Sequence, residues 1–189
     1  HLDYFKDIDH IVSSFDKFAH LVPGSGTIIA YDANPFVNQV IRDLDNVVTF
    51  GLSENCDYYA ANIQFNEEGM PAFDVCHDGQ LLSRVQLAVP GEHNILNALT
   101  CACALGVEPQ LTKETLERYH GTQRRFDIVG TTAKGVKIVD DYAHHPTEIK
   151  ATLSASENVP HNKLWCIFQP HTYTRTIALF DEFAEAFEK

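Results

Sequence analysis

Basic residues are scarce in this chain: 14 lysines and arginines stand against 26 aspartates and glutamates, a formal charge of -12 over 189 residues. Nucleic-acid binding draws most of its affinity from cations set against phosphates, so a nucleic-acid surface is excluded as the main function. Local cation sites for a small phosphate ligand stay open. Long apolar runs are missing as well. None approaches the roughly 20 residues that a bilayer span requires, and no basic segment followed by an apolar one opens the chain, so neither membrane insertion nor a secretion signal is expected. The five cysteines, Cys56, Cys76, Cys101, Cys103 and Cys166, are odd in number and show no C-x-x-C spacing. They fall mostly in apolar runs that look like core, and the expectation is reduced thiols in a cytoplasmic protein.

What is present is a hydrophobic content of 44%, enough for a real core. Ile8, Ile11, Val12, Phe15, Phe18 and Leu21 recur at helical spacing until Pro23-Gly24 stops the run. A strand is expected from Thr27 to Tyr31, a helix from near Pro35 to about Leu44, and a strand from Val47 to Phe50. Between Tyr58 and Val89 the pattern becomes short alternating segments. They are joined by Asn66-Glu67-Glu68-Gly69 and His77-Asp78-Gly79, which are hairpin-turn compositions, so an antiparallel meander is expected. Pro90-Gly91-Glu92-His93-Asn94 then introduces a helix with apolar Ile95, Leu96, Leu99, Ala102 and Leu105, stopped at Gly106. A further helix is expected from Leu111 to Tyr119 with Thr112 as N-cap.

A junction is expected near residue 122, where the short polar segment Gly121-Thr122-Gln123-Arg124-Arg125 gives way to a new strand pattern. Beyond it, Val136–Val139 reads as a buried strand leading into Asp140-Asp141-Tyr142-Ala143-His144-His145-Pro146-Thr147-Glu148 and a helix from Thr147 to Ala155. About 25 residues later Leu164–Phe168 reads as a second strand, followed by Gln169-Pro170-His171-Thr172-Tyr173-Thr174-Arg175 and a helix to Phe187. Two consecutive strand-loop-helix units imply parallel strands, and ligands of such sheets bind beyond the carboxyl ends of the strands. Both polar loops should therefore face one crevice, making Asp140, Asp141, His144, His171 and Arg175 candidate neighbours.

Other constellations admit two readings. Asn94 and Asn97 share one side of their helix and suit a ribose, a purine edge or a phosphate; an N-cap plus a solvated residue is the plainer account. Arg124 and Arg125 could clamp phosphate with their guanidinium forks or be a surface pair. His1-x-Asp3 carries donors suited to Mg or Mn when other oxygens complete the shell.

In this order, HLDYF at 1–5, PGEHNILNAL at 90–99, RRF at 124–126, VDDYAHHPTE at 139–148 and FQPHTYTRT at 168–176 resemble the Mur ligase family. The likeness covers nearly the whole chain and is strongest to the members that join L-alanine to UDP-N-acetylmuramate in peptidoglycan precursor synthesis. It implies an α/β fold. Residues 1–121 would be the latter part of a central ATP-binding domain, a mixed sheet with an antiparallel meander, and 122–189 the start of a Rossmann-like C-terminal domain. Both ends are expected to be truncated, with the UDP-binding domain and the G-x-x-G-K-T phosphate loop lying outside, so the fragment alone is expected to be inactive.

The implied chemistry is an acyl phosphate made with ATP and Mg²⁺, then attack by the amine of L-alanine to leave an amide. Carried over by motif, His1 resembles a magnesium ligand. Asn94 and Asn97 resemble nucleotide contacts on the adenine and ribose side, Arg125 a contact to the ATP phosphates, Asp141 a ribose contact, and Tyr142 a neighbour of the adenine. Arg125, Asp141 and His144 would be the catalytic set. His144, His171 and Arg175 would receive the amino acid, Arg175 through its carboxylate. Many members carry an arginine after the histidine of QPH, where this chain has Thr172. The alternatives are a sibling ligase that attaches a recycled tripeptide and, from another class, a metal-dependent phosphohydrolase built on the Asp and His cluster.

Overall fold

The structure is a computed structural model and describes residues 4–105 and 108–188. Its larger sheet has the order β1-β2-β3-β4-β5. Strands β1 (Ile28–Tyr31), β2 (Val47–Gly51) and β3 (Tyr58–Phe65) run parallel, while β3, β4 (Pro71–His77) and β5 (Gln80–Gln86) form the antiparallel meander. Asp78 and Gly79 have φ of 49° and 73°, the paired left-handed geometry that closes a two-residue hairpin, and His77 pairs with Gln80 across it. Helices α1 (Ile8–Ala19) and α2 (Pro35–Ile41) begin on sequence-encoded caps: Asp7 accepts from the His10 N–H, and Asn34 from those of Phe36 and Val37.

Helix α3 (Glu92–Leu105) lays Ile95, Ala98 and Leu99 on the sheet against Phe50, Phe73, Val75, Val85 and Leu87. Phe73, Ile95 and Leu99 are fully buried, and each such side chain contributes about 1.5–3 kcal/mol. Gly106, the expected stop of this helix, lies outside the described residues. Helix α4 (Pro109–Arg118) packs on β5 and starts earlier than expected. Glu108, not Thr112, is its cap, because a carboxylate two residues before Gln110 reaches the N–H groups of Gln110 and Leu111 at 3.0 and 3.1 Å. Among the described residues no helix is long and apolar enough to cross a membrane.

Two other expectations fail. The α1 periodicity is right, but only Val12 and Ala19 are buried; Phe15, Phe18 and Leu21 face solvent, because the helix packs on α2 and little else covers its apolar row. Cys56 and Cys76 are buried as expected of core thiols, whereas Cys101 and Cys166 are exposed.

After the junction, β6 (Asp127–Thr131) and β7 (Lys137–Asp140) form an antiparallel pair, with Asp127 opposite Asp140. The expected parallel pair does not form. Leu164–Phe168 is no strand: a cavity of about 170 Å³ lies between it and Val139 and Asp141, and Trp165 and Ile167 are exposed. Nor is β7 buried, since a two-stranded ribbon leaves Val136, Ile138 and Val139 open to solvent. Helices α5 (Pro146–Glu157), α6 (Tyr173–Ala178) and α7 (Phe180–Ala186) complete the unit, the expected single helix to Phe187 being broken at Leu179. Ile149, Phe183 and Ala186 form its small core, and the Phe168 ring stacks on Phe183 at 5.6 Å.

The units touch through glycines. Gly69, in the β3–β4 turn at φ +79°, approaches the Asn158 carbonyl so closely that a Cβ would sit 2.8 Å from its oxygen. Gly91, at φ +97°, sits against the His93 ring and Ala155 of α5.

Candidate functional site

The junction segment is held in an unusual backbone. Arg124 and Phe126, on either side of Arg125, have φ of 60° and 48°. Left-handed non-glycine residues cost on the order of 1–3 kcal/mol each and persist only where neighbours fix them. Asp141 does much of that fixing: Oδ2 accepts the Phe126 N–H at 2.8 Å, and Oδ1 accepts that of Ala143 at 2.7 Å. The Tyr142 N–H donates to the Arg124 carbonyl at 2.8 Å, and the Phe126 side chain is buried. Arg124 itself folds over the Tyr142 ring, 4.5 Å from its centroid, while its Nε lies 3.3 Å from Asp140.

The two adjacent histidines are used differently. His145 is the N-cap of α5, its Nδ1 accepting the Thr147 N–H at 3.3 Å. Glu148 closes the reciprocal half of the capping box and accepts the N–H groups of His144 and His145 at 2.9 and 3.2 Å. His144 Nδ1 lies 2.8 Å from the Tyr142 carbonyl. A carbonyl can only accept, so Nδ1 carries the hydrogen and Nε2 is the nitrogen left for a ligand.

Electrostatics tie the unit to α3. Burial lowers the His93 pKa, Asp141 opposing and Arg125 adding to the effect. Burial, aided by Arg175 and opposed by Glu148, likewise holds His145 below its ordinary value. For Glu148 burial works upward, but the His144 N–H, the His144 ring, the His145 N–H and Arg125 outweigh it and hold the carboxyl low.

A cavity of about 320 Å³ opens here, lined among others by Arg124, Asp141, Tyr142, His144, Gln169 and His171. The two polar loops thus meet, although no strand carries the second. Asp140 pairs with Arg124 and Arg175 donates to the His171 carbonyl at 3.1 Å; neither is among the residues that line the cavity. Thr172, at the position of departure from the motif, is the N-cap of α6. Asn94 and Asn97 lie elsewhere, in a cavity of about 580 Å³ between α3, α4 and the segment after β5, lined also by Leu87, Cys101, Thr115 and Tyr119. Their amides face each other and the chain: Asn94 donates to the Pro90 carbonyl at 2.6 Å and Asn97 to Asn94 at 3.2 Å.

His1 lies outside the described residues, and among those described no group of three or more His, Cys, Asp and Glu side chains could hold a metal ion. The Asp and His cluster is instead committed to caps and backbone pins, which is why the two-metal hydrolase arrangement does not assemble. Reading the sequence missed the Arg124–Tyr142 stack and the double grip of Glu148. The second was detectable, since Glu148 stands three residues after His145 at capping-box spacing, but histidine is not the usual cap.

The family model for the Mur ligase middle domain matches residues 1–105, and that described as Mur ligase, glutamate ligase domain matches 124–189. The chain is 47% identical over 191 residues to the UDP-N-acetylmuramate–L-alanine ligase of Alkaliphilus metalliredigens, covering 99% of this chain and 41% of that protein. It is 49% identical over 191 residues to the ligase of the same name from Clostridium acetobutylicum, with the same coverage, so it spans about two fifths of these curated relatives. Among solved structures, the UDP-N-acetylmuramate-alanine ligase of Thermotoga maritima superposes with a TM-score of 0.76 at 27% identity, over 100% of this chain and 41% of that one.

Proposed function

This chain belongs to the Mur ligase family, and on that footing we propose that it is part of a cytoplasmic, ATP-dependent ligase that joins L-alanine to UDP-N-acetylmuramate as an amide. The observation that carries the reading is the meeting of the Asp140–His145 loop with the Gln169–His171 loop on one cavity. A single site can then hold nucleotide on one wall and amino acid on the other. The proposed division is 1–121 as the latter part of the central ATP-binding domain and 122–189 as the start of the C-terminal domain.

In the proposed reaction the muramoyl carboxylate takes the γ-phosphoryl group of ATP, ADP leaves, and the amine of L-alanine attacks the acyl carbon with loss of phosphate. Such chemistry depends on positioning and on cations near the transferring group more than on covalent help from the protein. An acidic chain can provide this because its cations are local. Arg125, held between two left-handed residues, is assigned to the nucleotide phosphates and Asp141 and Tyr142 to the nucleoside; Asn94 and Asn97, assigned by motif to its adenine and ribose side, line the separate cavity beside α3. His144, His171 and Arg175 are assigned to the amino acid. Mg²⁺, when bound with the nucleotide, would neutralise phosphate charge; the described residues offer no shell for it, and its ligand His1 remains a proposal.

The test is phosphate release by the full-length protein with ATP, Mg²⁺ and UDP-N-acetylmuramate, with L-alanine or the tripeptide in separate reactions. Release that requires L-alanine is expected. Release only with the tripeptide would move the assignment to the recycling sibling, and release with neither would sink both.

A further inference from the structure

We propose that Glu148 is a positioning residue for amide formation, holding His144 so that its free Nε2 receives the proton shed by the attacking amine. The inference rests on the ligase reading above and adds to it a residue outside the set that touches substrate.

Helix capping alone accounts for only part of the Glu148 geometry. A capping box needs its carboxylate to accept the N–H of the cap, His145. Here the same oxygen, Oε2, also accepts the N–H of His144 at 2.9 Å and lies 3.5 Å from the His144 Nδ1. The Nδ1 hydrogen is bonded to the Tyr142 carbonyl, at 2.8 Å, and the carboxylate stands beside it as an ion-pair partner. The ring's other face is limited by Tyr142, whose ring centroid is 5.1 Å away at 60°. Both side chains are about two-thirds covered, 30% and 36% exposed, so water screens the pair only in part. The Tyr142 carbonyl thus fixes the tautomer, and a carboxylate 3.5 Å from Nδ1 stabilises the imidazolium formed when the free Nε2 of this cavity-lining histidine takes up a proton.

The step balances without a further reactant. The amine nitrogen forms its bond to the acyl carbon, the bond from that carbon to the phosphate oxygen breaks, and phosphate leaves with the electron pair. The proton lost by the nitrogen passes to Nε2 and later to solvent. Because the amine must lose a proton to become an amide, an acceptor beside it acts on kcat rather than on nucleotide binding.

Two readouts test this. Nitrogen–proton correlation spectra of the His144 ring in this chain report its tautomer, and steady-state kinetics of the full-length enzyme report kcat and KM. The expected result is the Nδ1–H tautomer in both proteins, which the Tyr142 carbonyl keeps, with the Nδ1–H resonance displaced in E148Q and kcat lowered at least tenfold at unchanged KM for ATP, within the roughly 10²–10⁴-fold that general-base catalysis supplies. If E148Q melts earlier but keeps the wild-type Nδ1–H resonance and kcat, Glu148 is a helix cap only and the proposal is overturned. Should E148Q not fold, E148D, with its carboxylate one methylene short, is read by the same criteria. A wild-type enzyme without L-alanine-dependent phosphate release would sink the ligase reading, while the Nδ1–H resonance would still decide whether Glu148 acts on His144.

Discussion

Removing the Asp141 carboxylate should release the backbone that carries Arg125. Asp141 accepts two main-chain N–H groups at 2.8 and 2.7 Å, from Phe126 and Ala143. Hydrogen bonds to an ionised acceptor contribute about 1.5–3 kcal/mol each, and the half-buried setting argues for the lower end, so D141A should forfeit about 3 kcal/mol. Part of this returns, because Phe126 no longer has to stay left-handed, a conformation that costs on the order of 1–3 kcal/mol. A net loss of about 2 kcal/mol is expected for D141A, and about half of that for D141N, which keeps one acceptor oxygen. Urea unfolding reads the global part as a lower midpoint at unchanged slope. Amide exchange reads the local part: protection of the Phe126 N–H should fall by roughly 30-fold, the equivalent of 2 kcal/mol. A D141A chain with the wild-type midpoint and a still-protected Phe126 amide would show that the carboxylate is not the pin.

Leu99→Ala, at a fully buried α3 position, should cost about 3–5 kcal/mol, whereas Leu21→Ala, 78% exposed, should stay within about 0.5 kcal/mol in the same urea series. Gly91→Ala combines a φ of +97° with a Cβ 2.7 Å from the His93 ring, so it should destabilise by more than Gly79→Ala, where φ is +73° but the space is open; equal midpoints would refute the close-approach argument. Acid stability follows the carboxylates. Thr49 holds Asp57 below its usual range, Asn62 and then Arg84 do so for Asp74, and Glu148 is low as described. Depressed folded values mean that their stabilisation is complete above the ordinary carboxylate pKa of about 4 and is lost as pH falls through the lower folded values. His93 and His145, also held low, favour the neutral folded form, so stability should begin to decline earlier, as pH drops below about 6.5. Unfolding midpoints measured from pH 8 to pH 3 check both windows, and a profile in H93N/H145N that stays flat from pH 6.5 down to about 4, where the carboxylates take over, separates the histidine part.

Much of the first unit was legible because its signals are local. The apolar run from Ile8 to Leu21 and the start at Pro35 mark α1 and α2, the Asp78-Gly79 turn requires two left-handed residues, and α3 shows its buried face at helical spacing. What misled was pairing, which depends on a partner the sequence does not name. Val136–Val139 and Leu164–Phe168 have strand composition, yet the first took the neighbouring β6 as an antiparallel partner and the second took none. The polar motifs were legible as chemistry but not as geometry. Asp141, Tyr142, His144 and His171 reach one cavity, while Asn94 and Asn97 line another.

The second loop reaches the site without a strand to deliver it, and this asks what positions it instead. Phe168 is the residue immediately before Gln169, and its ring packs on Phe183 at 5.6 Å and on Phe187 at 5.3 Å. Phe183 in turn joins Ile149 of α5, the helix that Glu148 and His145 cap. The His144 loop and the His171 loop are therefore anchored to one small core, through Ala143 and Ile149 on the one hand and Phe168 on the other. Such a core can set their separation without backbone hydrogen bonds between Leu164–Phe168 and β7. Aromatic packing is less directional than a ladder, so this separation should respond to the size of the residue at 168 more than to any change at Trp165 or Ile167, which are 77% and 98% exposed.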